Sequence, residues 1–217
     1  EKTLIIIDTC SMKTSNYWDY KLAGDLPSII GYIKDKNLDS KVKIGIPGMV
    51  EKEILKSCID NYYDEKNCLN EKLRHLQKFS KKIDLELRND SENISAITKG
   101  FDKAMAKQYF EKIDIPNKEY NLVFKDIVET AIKKEPPFTK QAFGFKDAVI
   151  LESIKRSKNI KNFDNIIMFT KNREDFQKPL KNLSNNLSIP IELIPTYEEI
   201  EKHLEEKYFK GDYNIYR

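Results

Sequence analysis

Short apolar runs that stop at polar residues constrain the fold of this chain more than any other feature. Three such runs are Thr3–Asp8, Val42–Ile46 and Ile166–Phe169, and a fourth, Ile191–Ile194, follows Pro190. Runs without alternating polar residues are typical of strands that are buried on both faces of a parallel sheet. Helical patterns follow the runs, which predicts βαβ units and a sheet covered by helices on both faces.

The middle of the chain, from about residue 55 to residue 134, shows no strand pattern. The helices predicted there are Glu65–Leu87, Ile94–Lys112 and Tyr120–Lys134. Pro136 and Pro137 then start a loop, because proline cannot continue a helix. Further helices are predicted at Asp25–Leu38, from Gly48 to Ile54 and after an N-cap at Thr196. We therefore expect a single α/β domain over residues 1–217, with a helical insertion at about 55–134.

The composition limits where the chain works and what it binds. The formal net charge is only +3, so any field that attracts nucleic acid must be local. The three cysteines form no CxxC pair, which fits a reducing cytoplasm. No apolar run approaches the roughly 20 residues that span a bilayer, and no signal peptide is visible. We therefore predict a cytoplasmic protein without a membrane partner.

Acidic residues follow the predicted strands at one edge of the sheet. Asp8 ends the first strand, Glu51 and Glu53 open the helix after the second, and Asp175 follows the third. Asp147 lies in the first turn of a helix whose start is expected at the same edge. Ligands of parallel α/β sheets bind at this edge. Clustered carboxylates stay ionised only beside a cation, and Mg²⁺ or Mn²⁺ prefers such oxygen ligands. A site of this kind can hydrolyse phosphodiesters.

Each acid also has an ordinary structural interpretation. Asp8 could only terminate a strand, and Glu51, Glu53 or Asp147 could only favour a helix dipole. What favours a functional site is that all of them coincide with strand ends. Both histidines lie in charged helical patterns, and the cysteines lack metal-ligand spacing, so a zinc site is not expected. Neither GxGxxG nor GxxxxGK[ST] occurs, so dinucleotide and P-loop sites have no support.

Four segments in this order, IIIDTC, PGMVEKEI, FKDAVILESI and FTKNREDF, resemble a PIN domain of a subfamily with a long helical insert. The resemblance covers roughly residues 1–55 and 135–205. It implies a Rossmann-like three-layer α/β/α fold with a central parallel sheet. It also implies a metal-dependent endoribonuclease with Mg²⁺ or Mn²⁺ as cofactor, which in some relatives is a toxin or a defence effector.

The resemblance assigns both metal binding and catalysis to four acids. These are Asp8, Glu53, Asp147 and Asp175, with Glu51 as a near alternative to Glu53. Asn172 stands where many members carry Asp, and it could ligate or orient a water through its carbonyl oxygen. Ser11 and Thr170 would be hydroxyls that orient the carboxylates. The departure at Asn172 keeps open the alternative of a catalytically incomplete nucleic-acid-binding module.

Basic and aromatic residues near the acids predict contact with RNA. Lys146, Lys155, Lys171 and Arg173 are the expected phosphate contacts, although Lys155 could equally lie on a solvated helix face. Stacking of unpaired bases is conceivable at the aromatic residues of the neighbouring loop, Phe138, Phe143 and Phe145. The expected partners are an RNA substrate and, left open, a second copy of the chain or an antitoxin or other regulatory protein. A phosphatase is disfavoured, because Cys10 stands where such enzymes carry a second Asp.

Overall fold

The computed structural model describes residues 1–9, 13–16, 21–23, 25–79, 89–107, 109–138 and 144–209. Its strands are β1 (Thr3–Ile7), β2 (Lys13–Asn16), β3 (Lys21–Ala23), β4 (Val42–Pro47), β5 (Phe110–Ile113), β6 (Asn165–Phe169) and β7 (Ile191–Ile194). Its α-helices are α1 (Asp25–Asp35), α2 (Gly48–Phe79), α3 (Asp90–Met105), α4 (Tyr120–Ile132), α5 (Phe145–Arg156), α6 (Arg173–Leu187) and α7 (Tyr197–Tyr208). None of these described helices is long and apolar enough to cross a membrane.

The centre of the fold is a parallel sheet with the strand order β5-β4-β1-β6-β7. β1 pairs with β4 from Thr3 opposite Val42, and on its other side with β6 from Thr3 opposite Asn165. All five residues of β1 are buried, which is why this strand reads as an unbroken apolar run. The predicted Rossmann-like three-layer α/β/α fold is confirmed. β2 and β3 form a separate antiparallel pair.

The prediction that no strand lies between residues 55 and 134 was wrong. β5 pairs in parallel with β4 and forms one edge of the sheet, with Ile44 opposite Phe110. Its sequence FEKI has two charged residues and is only partly buried, so it lacks the apolar run by which the inner strands were found. The helix predicted over Ile94–Lys112 accordingly ends at Met105.

The other helices agree more closely with the sequence patterns. Gly48–Ile54 and the helix predicted from Glu65 are parts of one continuous helix, α2, and the predicted end at Leu87 lies outside the described residues. α7 begins after Thr196, whose side chain accepts a hydrogen bond from the backbone N–H of Glu199, as predicted. α1 packs against α7, whereas α2, α4 and α6 all pack against α5. The start of α5 is thereby brought to the edge where β1, β4 and β6 end.

Candidate active site

Asp8 occupies the central position of the site, because it follows the middle strand of the sheet. Its backbone N–H donates to the carbonyl oxygen of Phe169 at 3.2 Å, so it continues the pairing of β1 with β6. The hydroxyl of Thr170 donates to Oδ2 of Asp8 at 2.9 Å. Thr170 is fully buried, so its hydroxyl holds the carboxylate in a fixed orientation. The family resemblance implies an orienting role of this kind for Thr170.

Glu53 approaches Asp8 from α2, which begins directly where β4 ends. Its Oε2 accepts a hydrogen bond from the hydroxyl of Thr9, the residue after Asp8. Its buried Oε1 lies against the ammonium group of Lys146. Only 16% of the Glu53 side chain is exposed, so the carboxylate is largely shielded from water. The contact with Thr9 was not anticipated from the sequence, although its place directly after Asp8 was a usable signal.

Glu51 lies elsewhere, although it is only two residues from Glu53. Its carboxylate faces the ammonium of Lys112 in β5, at 3.4 Å. It also lines a separate cavity together with Asp114 and Phe101. Two residues along a helix are separated by roughly 200° around its axis. The geometry therefore brings Glu53, rather than Glu51, to the strand end that carries Asp8.

Asn172 links the other two acids. Its side-chain N–H group donates to Oδ2 of Asp147 at 3.2 Å and to Oδ2 of Asp175 at 2.8 Å. Its backbone N–H donates to the hydroxyl of Thr170 at 3.1 Å. The same hydroxyl donates to Asp8, so the turn after β6 is linked to Asp8 through Thr170. The sequence analysis proposed that the Asn172 carbonyl would ligate or orient a water. In the structure the amide instead acts as a donor between two carboxylates.

The start of α5 depends on Gly144. A Cβ atom at this position would collide with the carbonyl oxygen of Pro137, so a side chain here would push the proline loop away from the helix. Gly144 precedes the first turn of α5, in which Asp147 lies. The close approach of the Pro137 backbone therefore helps to fix Asp147 at the site.

The electrostatics show that the four acids act on one another. Burial, together with the negative charges of Asp8, Asp175 and Glu53, raises the pKa of Asp147 to about 6, while the charge of Lys146 opposes this rise. Burial and like charges both disfavour the ionised form of a carboxyl group. At neutral pH the site therefore holds more negative charge than the nearby ammonium of Lys146 balances.

The donor set suits a hard divalent cation, because carboxylate oxygens are the ligands that Mg²⁺ and Mn²⁺ prefer. Within the described part of the chain, however, no three acidic, histidine or cysteine side chains are arranged so that they could hold a metal ion together. Two donor groups lie among the acids: the ammonium of Lys146 on Glu53, and the amide of Asn172 between Asp147 and Asp175. Metal binding by all four acids thus requires side-chain movement of Lys146 and Asn172.

Three of the four predicted RNA-binding residues lie near the acids, whereas the fourth, Lys155, lies in a separate network of ion pairs. Lys146 lies at the acids, and Lys171 and Arg173 are exposed on either side of Asn172. Lys155 instead contacts Asp126 at 3.2 Å and Glu152 at 2.9 Å, in a network of ion pairs with Arg156.

The aromatic candidates also differ. Phe145 is 47% exposed at the start of α5, next to Lys146. Phe138 is partly buried and packs against a small buried cluster. Phe143 and Ser11 lie outside the described residues.

A five-stranded parallel sheet covered by helices, with acids from separate segments at its carboxyl edge, defines a three-layer α/β protein. In open sheets of this class, ligands generally bind outside the carboxyl ends of the strands. A family model described as PIN domain matches residues 5–176, and the chain therefore belongs to the PIN domain family. The match contains all four acids. PIN domains are generally nucleases and typically use divalent metals. Neither the curated proteins nor the solved structures give a match to the chain.

Proposed function

We propose that the protein is an endoribonuclease that depends on Mg²⁺ or Mn²⁺ and hydrolyses phosphodiester bonds. Membership of a family of nucleases supports the reaction class. The observation that carries the proposal is that four carboxylates from four separate segments meet at one edge of the sheet. After burial, the charges of the other three acids contribute to the raised pKa of Asp147. Such a cluster is costly for stability, and a catalytic requirement for a cation explains its presence.

The residues that would hold the cation are Asp8, Glu53, Asp147 and Asp175. When bound, a divalent ion of this kind polarises a phosphate and lowers the pKa of water. Thr170 orients Asp8 and Thr9 orients Glu53, so two of the four carboxylates are fixed by hydroxyl donors. Ligands that are held in this way lose less conformational freedom when the ion binds.

Basic and aromatic residues around the acids would hold the RNA. Lys146, Lys171 and Arg173 are exposed near the acids and would contact phosphates without reading sequence. The exposed ring of Phe145 offers a surface on which an unpaired base could stack. Lys155 is part of this proposal only through its position on α5, because its ammonium already pairs with Asp126 and Glu152.

The proposal is tested by cleavage-site mapping on total RNA with the wild type and with Asp8→Asn, each in Mn²⁺ and in EDTA. We expect discrete cleavage by the wild type in Mn²⁺ and none by Asp8→Asn. Glu51→Gln is the matched control, because Glu51 lies on the same helix as Glu53 but pairs with Lys112. It should cleave at the wild-type rate. Cleavage by Asp8→Asn at that rate would refute the mechanism.

A second candidate function is a nucleic-acid-binding module with an incomplete metal site. The observation that favours it is the side chain of Asn172, a neutral amide that donates to Asp147 and Asp175. Many relatives carry an Asp at this position. Titration calorimetry with Mn²⁺ separates the two candidates. Heat of binding at millimolar Mn²⁺ that disappears in Asp8→Asn supports the nuclease. Undetectable binding to the wild type supports the module.

The last part of the proposal concerns the cellular location, the biological role and the protein partner. We place the protein in the cytoplasm, since its three cysteines include no CxxC pair. A toxin or defence role, with an antitoxin or another regulatory protein as partner, follows from its resemblance to other family members. Expression of the wild type in a host cell should then arrest growth, whereas expression of Asp8→Asn should not.

A further inference from the structure

A groove lies between α6 and the edge strand β7, and its lining differs from that of the candidate active site. It has a volume of about 370 Å³. Its α6 side is mostly polar, and its β7 side is apolar, with Ile191 and Leu193. Among the described residues, none of those that line the groove is acidic, and two of them, Arg173 and Lys181, are cations. The groove therefore attracts anions. We call it the α6 groove.

Three polar side chains form a row along the α6 side of the groove. Arg173, Gln177 and Lys181 are spaced by four residues, and all three are exposed. Residues four apart lie on one side of a helix, roughly 6 Å apart along its axis. Neither Arg173 nor Lys181 forms an ion pair with an acid in the described part of the chain, in contrast to Lys155 and Arg156. The row therefore offers a ligand two cations that no carboxylate neutralises, with an amide between them.

The row begins at the candidate active site. Arg173 directly follows Asn172, whose amide donates to Asp147 and Asp175, and Asp175 itself lies in the first turn of α6. Because α6 connects the parallel strands β6 and β7, it leads from the carboxyl edge of the sheet back to the amino edge. Lys181 lies eight residues after the start of the row, roughly 12 Å further along the helix axis. A chain of phosphates bound to the row would therefore have one end at the acids.

The opposite flank of α6 differs from the α6 groove in its charge. It lines a cavity of about 400 Å³ that is shared with α4 and α5, and in this cavity Glu135 and Glu152 accompany Lys178. Carboxylates at this place would repel a phosphate. A polyanion that extends from the acids is therefore expected on the β7 flank of α6 and not on the α5 flank.

We infer that the α6 groove binds the part of a single-stranded RNA that extends from the cleavage site, an inference that rests on the proposed function. Arg173 and Lys181 each contact a phosphate, and Gln177 donates to a phosphate or sugar oxygen between them. Ile191 and Leu193 form an apolar wall against which the faces of unpaired bases pack. In a duplex the base faces are stacked inside the helix, so only a single strand matches both sides of the groove.

Fluorescence anisotropy of a labelled oligouridine of about 12 nucleotides tests the inference. Binding is measured in EDTA with the full-length Asp8→Asn variant, which is expected not to cleave RNA. Adding Lys181→Glu should weaken binding about tenfold, because attraction to a phosphate becomes repulsion. Lys178→Glu is the matched control, since it makes the same change of charge on the same helix, but Lys178 lines the cavity on the opposite flank. It should weaken binding less than about twofold at physiological salt.

The salt dependence of binding gives a second readout. Lys181→Gln should reduce the slope of log K against log salt by about 0.7, the value for one phosphate contact to a single strand. Circular dichroism establishes that each variant is folded. Equal effects of Lys181→Glu and Lys178→Glu, an unchanged slope, or no binding of the oligouridine overturn the inference. The nuclease proposal is decided separately, by cleavage with the wild type in Mn²⁺. A wild type that does not cleave RNA, together with binding that depends on Lys181, refutes the nuclease and supports the groove as a binding site.

Discussion

Replacing Asp147 by Asn should stabilise the metal-free protein, even though Asp147 is a proposed metal ligand. The pKa of Asp147 rises from 3.8 to about 6, first through burial and then through the charges of Asp8, Asp175 and Glu53. Two pKa units correspond to about 3 kcal/mol of preference for the neutral form. Because Asp147 is only partly buried, we expect about 2 kcal/mol at neutral pH. The Asn side chain can still accept the hydrogen bond that Asn172 donates.

Thermal unfolding in EDTA as a function of pH measures this effect. A stabilisation of about 2 kcal/mol should raise the Tm by about 4 to 8 °C for a chain of this length. The pKa of Asp147 is higher in the folded state than in the unfolded state, so, as far as this residue is concerned, the wild type is more stable below pH 4 than at neutral pH. It loses that stability as the pH rises through about 6. The difference between variant and wild type should therefore be small near pH 4 and reach its maximum above pH 7.

Divalent ions should make the wild type more stable than Asp147→Asn, the reverse of the order expected in EDTA. A ligand that binds only the folded state adds stability, about 2.7 kcal/mol at a concentration of one hundred times its Kd. The wild type should gain this with Mn²⁺, whereas Asp147→Asn should gain much less.

Asp126→Asn is the control. Burial raises the pKa of Asp126, but hydrogen bonds and charges from Lys155 and Arg156 outweigh burial and lower it. This variant should lose stability at neutral pH and respond little to Mn²⁺. A metal-free Asp147→Asn protein that unfolds below the wild type at pH 7.5 would show that the acids do not repel one another.

Three further predictions concern other parts of the structure. Thr196→Ala removes the N-cap of α7 and should lower the free energy of unfolding by about 1 kcal/mol in a urea titration. Arg156→Met removes the guanidinium from Glu119, Asp126 and Glu152, of which Asp126 and Glu152 keep Lys155 as a partner. It should lower the free energy of unfolding by about 2 kcal/mol, measured in the same way. Lys146→Met removes a cation from Glu53. It should raise the pKa of Asp147 further, measured by NMR titration. Introduced into the Asp8→Asn variant, which is expected not to cleave RNA, it should weaken the binding of single-stranded RNA about threefold.

The sequence was sufficient to predict those strands that are buried on both faces. β1, β4 and β6 read as mainly apolar runs, interrupted in β4 only by Lys43, because helices cover both sides of the sheet. The edge strand β7 was found through its apolar run after Pro190. β5 was missed because it lies at the other edge of the sheet and has two adjacent charged residues between its apolar ends. Such a short segment fits a helical pattern as well as a strand, and only its pairing with β4 decides between them.

In the candidate site, features that depend on neighbouring residues could be predicted, whereas contacts between residues far apart in sequence could not. That acids follow the strands could be predicted from their order along the chain. The separation of Glu51 from Glu53 depends on the rotation of α2 and on the unforeseen strand β5, which supplies Lys112. The contact of Lys146 with Glu53 joins residues far apart in sequence. Such contacts depend on how α2 packs against α5, and no local pattern encodes that packing.

The position of Asn172 connects the stability of the site to its function. A carboxylate in its place would add a further negative charge beside Asp147 and Asp175, where the pKa of Asp147 is already raised. The amide instead donates to both acids and so reduces their repulsion without a cation. On the proposed function, Asn172 therefore stabilises the metal-free fold at the expense of one anionic ligand for the cation. Asn172→Asp should accordingly bind Mn²⁺ more tightly in calorimetry and unfold at a lower temperature in EDTA. A variant that is more stable in EDTA would contradict this role of the amide.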